Sequence, residues 1–304
     1  MPERVRRAVD EIAGAKVVDA TNLLGGFSPG PAARCGLADG RTVFVKAAGL
    51  ALNPSSPGMH RREGEVLRSF GAGVPAPALI GVFDDDDWVA LVIEWIDGRM
   101  PTAPLDTLDR ERLLHLVEQL ALIEADDHLE PCYDAHPAVW GHWQRLRDEP
   151  QAGLDPWSLR HLEALADLEA DVAEAIRGDR LVHLDLRSDN VIFADAGLPH
   201  DVVVDWPGAS AGAPWIDLAG LLPSLELDGG PSPHDTFEQH PLGRAADPEA
   251  ASIFVAALAG YFTRMSLLPS PPGLPTLRGF QAAQGTITRR WLAQRQGWDF
   301  DLTV

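Results

Sequence analysis

Little in this chain is built for sulfur cross-links or for lipid. Cysteine occurs twice, at Cys35 and Cys132. The two are widely separated, so they give no disulfide framework and none of the paired spacing that binds zinc. No apolar run approaches the roughly 18 residues of a membrane-crossing helix, and no span is expected. The charged opening Met1-Pro2-Glu3-Arg4-Val5-Arg6-Arg7 has no apolar stretch behind it, which argues against a signal peptide. A cytoplasmic location is the default expectation. Positive charge is scarce as well: Lys plus Arg number 25 against 45 Asp plus Glu, a formal net charge of -20. Such a surface repels nucleic acid and anionic membranes and favours a cationic small ligand. Lysine stands only at Lys16 and Lys46. What the chain has in quantity is apolar residues, 45% of its 304, enough for a sizeable core in one large domain or two lobes.

The most specific polar spacing lies in Leu181-Val182-His183-Leu184-Asp185-Leu186-Arg187-Ser188-Asp189-Asn190-Val191-Ile192-Phe193, followed by Asp201-Val202-Val203-Val204-Asp205-Trp206. The short Val- and Ile-rich runs read as buried strands. Asp185, Asn190 and Asp205 then sit at the ends of neighbouring strands. Phosphoryl transfer from ATP needs a group to orient the attacking hydroxyl and hard oxygen ligands for Mg2+. Asp185 suits the first task, and Asn190 with Asp205 suits the second.

The spacing His-x-Asp-x-x-x-x-Asn, followed by an apolar strand ending in Asp, resembles the signature of the protein-kinase-like fold. Protein kinases would show Asp-Phe-Gly, whereas this chain has Asp205-Trp206-Pro207-Gly208. In that respect it is similar to the aminoglycoside phosphotransferase and choline kinase family. The resemblance implies an α+β, two-lobed protein-kinase-like fold with ATP and Mg2+ between the lobes. The N-terminal lobe, residues 1–94, would carry an antiparallel sheet and one major helix. Residues 95–98 would be the hinge linker, and residues 99–304 a mainly helical lobe with the catalytic loop and acceptor site. His183 would steady that loop. Arg187 would either reach the transferred phosphoryl group, where protein kinases carry lysine, or be fixed by a nearby carboxylate. Asp217, in an Asp-Leu-Ala context, would hold the loop through its backbone N–H groups. The segment after Asp205 is short and lacks Ala-Pro-Glu, which argues against a protein substrate.

The rest of the chain supplies partners for these residues. A helix over residues 2–12 and a strand near 16–20 precede the glycine-rich turn Leu24-Gly25-Gly26-Phe27-Ser28-Pro29-Gly30. Backbone N–H groups of Gly26, Phe27 and Ser28 can face phosphate oxygens there. Alternation in Thr42-Val43-Phe44-Val45-Lys46 places Lys46 opposite Val43 and Val45. Its position is where the resembled family holds the α and β phosphates. Helical spacing over residues 59–70 groups Glu63 with Val66, Leu67 and Phe70, so a buried Glu63 needs a cation, and Lys46 is the candidate. Glu65 is expected to face solvent. Strands are expected over 78–83 and 88–93, followed by Glu94 and Ile96, whose backbone can meet the adenine edge. Helices are expected over 108–127, 156–176, from 215, from 247 and over 276–295, with a long connection over 226–246.

The acceptor is the open part. Net charge and resemblance together suggest a cationic, aminoglycoside-like hydroxyl compound; antibiotic resistance would not follow from membership alone. Asp126, Asp127, Glu130, Asp134, Glu226, Asp228 and the C-terminal tail are candidate ammonium binders. Macrolides, choline, homoserine and sugars are alternative acceptors, and a nucleotide-binding protein without catalysis is an alternative class.

Overall fold

The computed structural model describes residues 1–23, 30–194, 201–271 and 273–302. The chain forms two compact units, Met1–Pro101 with Asp189–Pro207, and Thr102–Ser188 with Gly208–Val304. The first is built on an antiparallel sheet and the second is mainly helical, the α+β architecture that the resemblance implies.

The first unit contains helices α1 (Glu3–Ala13) and α2 (Ser56–Ser69) and strands β1 (Val17–Asn22), β2 (Ala32–Leu37), β3 (Thr42–Gly49), β4 (Leu79–Asp84), β5 (Trp88–Glu94) and β6 (Gly98–Arg99). The main sheet has five strands in the order β1-β2-β3-β5-β4. In β3 the alternation resolves as the sequence suggests. Val43, Val45 and Ala47 are buried in a core shared with Val5, Val9 and Ala13 of α1. Lys46 points to the opposite face, where α2 packs. β1 and β2 pair antiparallel, but Gly26, Phe27 and Ser28 of the intervening turn lie outside the described residues. α2 starts earlier than the periodicity indicates. Asn53 Oδ1 accepts the N–H groups of Ser55 and Ser56 at 2.8 and 3.1 Å, and Pro57 pre-sets the first turn. The strip returning after Ser188 belongs to this unit because Val191–Ala194 pairs with β6 on one side and Val202–Val203 on the other.

The second unit contains α3 (Thr107–Leu120), α4 (Cys132–Ala135), α5 (His142–Asp148), α6 (Pro156–Glu169), α7 (Val172–Ala175), α8 (Ile216–Leu227), α9 (Pro233–Gln239), α10 (Pro241–Ala245), α11 (Pro248–Ser266) and α12 (Leu277–Gln296). α3 is shorter than its apolar stripe. Beyond Leu120 the backbone is drawn into pairing instead, with Leu181 N–H donating to the Ile123 carbonyl and Ala125 N–H to the Asp179 carbonyl, each at 2.9 Å. Residues expected as a long connection contain two short helices, α9 and α10, each with proline in its first turn. α11 opens where expected, capped by Asp247, which accepts the Ala250 N–H at 2.8 Å. A two-stranded ribbon of Arg180–Val182 with Ser210–Gly212 brings the loop after Val182 alongside the start of α8. Among the described residues no helix is long and apolar enough to cross a membrane.

Gly64 lets α2 approach the sheet. A Cβ there would lie 3.0 Å from Val82 Cγ2 and 3.1 Å from Leu91 Cδ2. A larger side chain would lift the helix and, with it, neighbouring Glu63. Gly64→Val should lower unfolding stability by about 1–3 kcal/mol through overpacking. Glu65→Ala, on the exposed side of the same helix, should stay within about 0.5 kcal/mol of wild type. Urea unfolding of both variants checks the pair; equal midpoints would contradict this account of Gly64.

Candidate active site

In the first unit the site is organised by Lys46. Its Nζ donates to Glu63 Oε1 and Oε2 at 2.9 and 3.0 Å and to Asp205 Oδ1 at 2.6 Å. The Lys46 side chain is 13% exposed and Glu63 2%, whereas Asp205 keeps 35%. Burial alone would lower the lysine pKa; the charges of Glu63 and Asp205 more than offset it and hold Lys46 above its ordinary value. Burial pushes the Glu63 carboxyl up, opposed chiefly by Lys46. The backbone of Trp206 adds a smaller pull toward the charged form. Trp206 is fully buried, donates Nε1–H to the Val203 carbonyl at 2.7 Å and meets Phe70 edge-on with centroids 4.8 Å apart.

Asp205 has φ +69°, a left-handed conformation that a residue with a Cβ adopts at a cost. The Val204 N–H donates to the Asn190 carbonyl at 2.9 Å, which brings Asn190 beside the segment of Asp205. Asn190 is buried. The backbone segments that carry Asn190 and Asp205 are therefore adjacent. At the end of β5, the Glu94 N–H donates to the Ala78 carbonyl at 2.9 Å and is thereby occupied. Ile96 is buried. His60, which the sequence reading passed over, is also buried and lies one helical turn before Glu63.

In the second unit, Asp217 in the first turn of α8 holds the loop after Val182. Its Oδ2 and Oδ1 accept the N–H groups of His183 and Leu184, each at 2.8 Å. Leu184 has φ +67°, so these two bonds help fix another strained residue directly before Asp185. Gly208 lies close above: a Cβ on it would come within 2.6 Å of the His183 carbonyl oxygen. His183 is buried, and its Nδ1 accepts the Asp185 N–H at 3.3 Å. The Asp185 carboxylate is 55% exposed and accepts from Arg187 Nη1 at 2.8 Å. The Arg187 guanidinium lies over the Phe280 ring, 5.4 Å from its centroid.

The acids nominated for an ammonium ligand are not equivalent. Glu226 is ion-paired with Arg290, and Asp228 accepts the Ser188 hydroxyl at 2.5 Å. Asp126, Asp127, Glu130 and Asp134 are exposed.

Burial pushes Asp217 up to about 6, against the two N–H bonds that favour its charged form. From about pH 4 to about pH 6 the folded chain therefore keeps a proton that the unfolded chain has released, and the contribution of this group to stability falls as pH rises. Asp217→Asn keeps the shape but replaces one accepting oxygen by an amide that cannot accept. It should cost about 1.5–3 kcal/mol, the value of a bond to a charged group. That cost should be larger at about pH 4 than above about pH 6, because only wild type titrates. Denaturant titrations across this range check it; a pH-independent difference would contradict the assignment.

The phosphotransferase enzyme family matches residues 32–254. No curated protein sequence matches the chain. Among solved structures, an aminoglycoside phosphotransferase in complex with AMP-PNP and hygromycin B superposes with a TM-score of 0.63 at 17% identity, covering 97% of this chain and 98% of that chain. An ethanolamine kinase from Plasmodium vivax gives 0.55 at 12% identity, covering 92% and 80%. A macrolide 2'-phosphotransferase from Brachybacterium faecium gives 0.52 at 17% identity, covering 99% and 100%. At such identities these likenesses establish a common fold. The family match runs from the start of β2 into α11 and takes in the lysine, the loop of Asp185 and the strip of Asp205; the protein belongs to the phosphotransferase enzyme family.

Proposed function

We propose that this phosphotransferase transfers the γ-phosphoryl group of ATP, with Mg2+, to a hydroxyl of a small molecule. The observation that carries the reading is the Lys46 ammonium, fixed by buried Glu63 and bonded to half-exposed Asp205. An ammonium so held remains charged. It keeps Glu63 as a constant partner and can exchange Asp205 for the α and β phosphates. Structures of similar fold contain AMP-PNP, which supports ATP as donor. In this reading Gly26, Phe27 and Ser28 contribute backbone N–H groups to the phosphates. The Glu94 carbonyl and Ile96 N–H meet adenine, with residues 95–98 as linker between the 1–94 and 99–304 lobes.

The donor set fits Mg2+. Among the described residues no group of three or more His, Cys, Asp or Glu side chains could cage a metal. Mg2+ is usually held by one or two carboxylates together with substrate phosphates and water. Asp205 and Asn190 would hold it, and the ion when bound would neutralise phosphate charge.

Asp185 then orients the acceptor hydroxyl and takes its proton as the new O–P bond forms. Arg187 holds Asp185 in place and offers positive charge to the phosphoryl group in transit. His183 and Asp217 fix the backbone on which both are mounted. Transfer is direct, with no covalent enzyme intermediate. The acceptor class that charge favours is cationic and aminoglycoside-like, with exposed Asp126, Asp127, Glu130 and Asp134 as the acids to engage it. Macrolides, choline, homoserine and sugars share the same phosphoryl half and belong in the same screen.

The test incubates enzyme and Mg-ATP with such a panel and reads acceptor masses. One acceptor should gain a phosphoryl group. Asp185→Asn should slow that transfer by about 10²- to 10⁴-fold, the range of general-base contributions. AMP-PNP affinity should stay unchanged in that variant. Equal turnover by Asp185→Asn would remove Asp185 from the chemistry. Clear nucleotide binding without transfer to any panel member or to extract metabolites would favour a binding protein.

A further inference from the structure

The proposed phosphate site leaves the buried imidazole of His60 without a task. His60 lies on α2 three residues before Glu63, so helical spacing puts the two on one face. It is 5% exposed. The charges acting on its ring are those of Lys46 and Asp205, the same pair that meets at the site. Among the described residues the ring makes no hydrogen bond or ion pair.

Burial first, and Lys46 second, push the imidazole down to about 4, with Asp205 opposing. The ring is therefore neutral at physiological pH, with one N–H to donate and one nitrogen to accept. A polar side chain this enclosed gains from a hydrogen-bond partner. The neighbouring charged groups do not supply that partner. Lys46 spends its donors on Glu63 and Asp205. Both oxygens of Glu63 are taken by Lys46.

We propose that His60 is a nucleotide-binding residue whose ring N–H donates to a phosphate oxygen of the nucleoside triphosphate held at Lys46. The inference rests on the reading of Lys46 as the phosphate-holding lysine. A neutral donor suits that place. It adds a hydrogen bond to an anionic oxygen without setting a second cation against the lysine, which a histidine charged at this depth would do.

The test measures binding of AMP-PNP and of adenosine, each with Mg2+, by calorimetry. It compares wild type with His60→Leu, His60→Phe and His60→Gln and records the melting temperature of each ligand-free protein. Leu and Phe remove the donor in two shapes, so a folding defect in one leaves the other to be read; Gln restores an N–H. The donor-free variants should bind AMP-PNP about tenfold or more weakly, the worth of a hydrogen bond to a charged group. Adenosine should bind as to wild type, and His60→Gln should recover most of the loss. Wild-type affinity for AMP-PNP in a folded His60→Leu or His60→Phe would overturn the proposal, as would equal losses for AMP-PNP and adenosine. Failure of wild type itself to bind AMP-PNP would overturn the Lys46 reading, and this one with it.

Discussion

A lysine ammonium sunk among carboxylates constrains everything around it in the first unit. Lys46 can remain charged at 13% exposure only because Glu63 and Asp205 stand within hydrogen-bond reach. That requirement reaches outward. β3 must alternate so that its valines face α1 while the lysine faces α2. α2 must approach closely, which Gly64 permits. The strip of Asp205 must return to this unit, which the pairing of Val191–Ala194 achieves. Removing one member of such a cluster leaves an uncompensated buried charge, whereas the intact cluster adds little net stability over an apolar replacement. Its retention therefore argues for use in chemistry.

Strain falls on the segments that carry Asp185 and Asp205. Leu184 and Asp205 both adopt left-handed backbone conformations. Each is held by neighbouring bonds: Leu184 by the carboxylate of Asp217, Asp205 by Lys46 and by the buried Trp206 that follows it. A residue in that conformation turns the chain sharply, so a short stretch can present its carboxylate away from the direction of the strand.

Much of this was legible in the sequence because it depends on side-chain identity at fixed spacing. Alternation placed Lys46 on the right face, and helical periodicity separated Glu63 from Glu65. The run from His183 to Asn190 marked a loop. What was not legible depended on the backbone or on distant partners. α3 ends at Leu120 although apolar residues continue, because Ile123 and Ala125 find β partners at Leu181 and Asp179. Glu226 read as a free acid because Arg290, far along the chain, was not yet its partner. His60 did carry a signal, its spacing from Glu63, but a lone histidine on a helix is more often a packing residue. The roles of Gly26, Phe27 and Ser28 rest on the sequence alone.

Lys46 grips both Glu63 and Asp205. One ammonium therefore rivets a helix, a sheet strand and a returning strip at once. Swinging α2 outward would leave Lys46 in a poorly solvated pocket without its most buried counter-ion. A displaced helix that disarms the lysine is therefore a costly position for this unit.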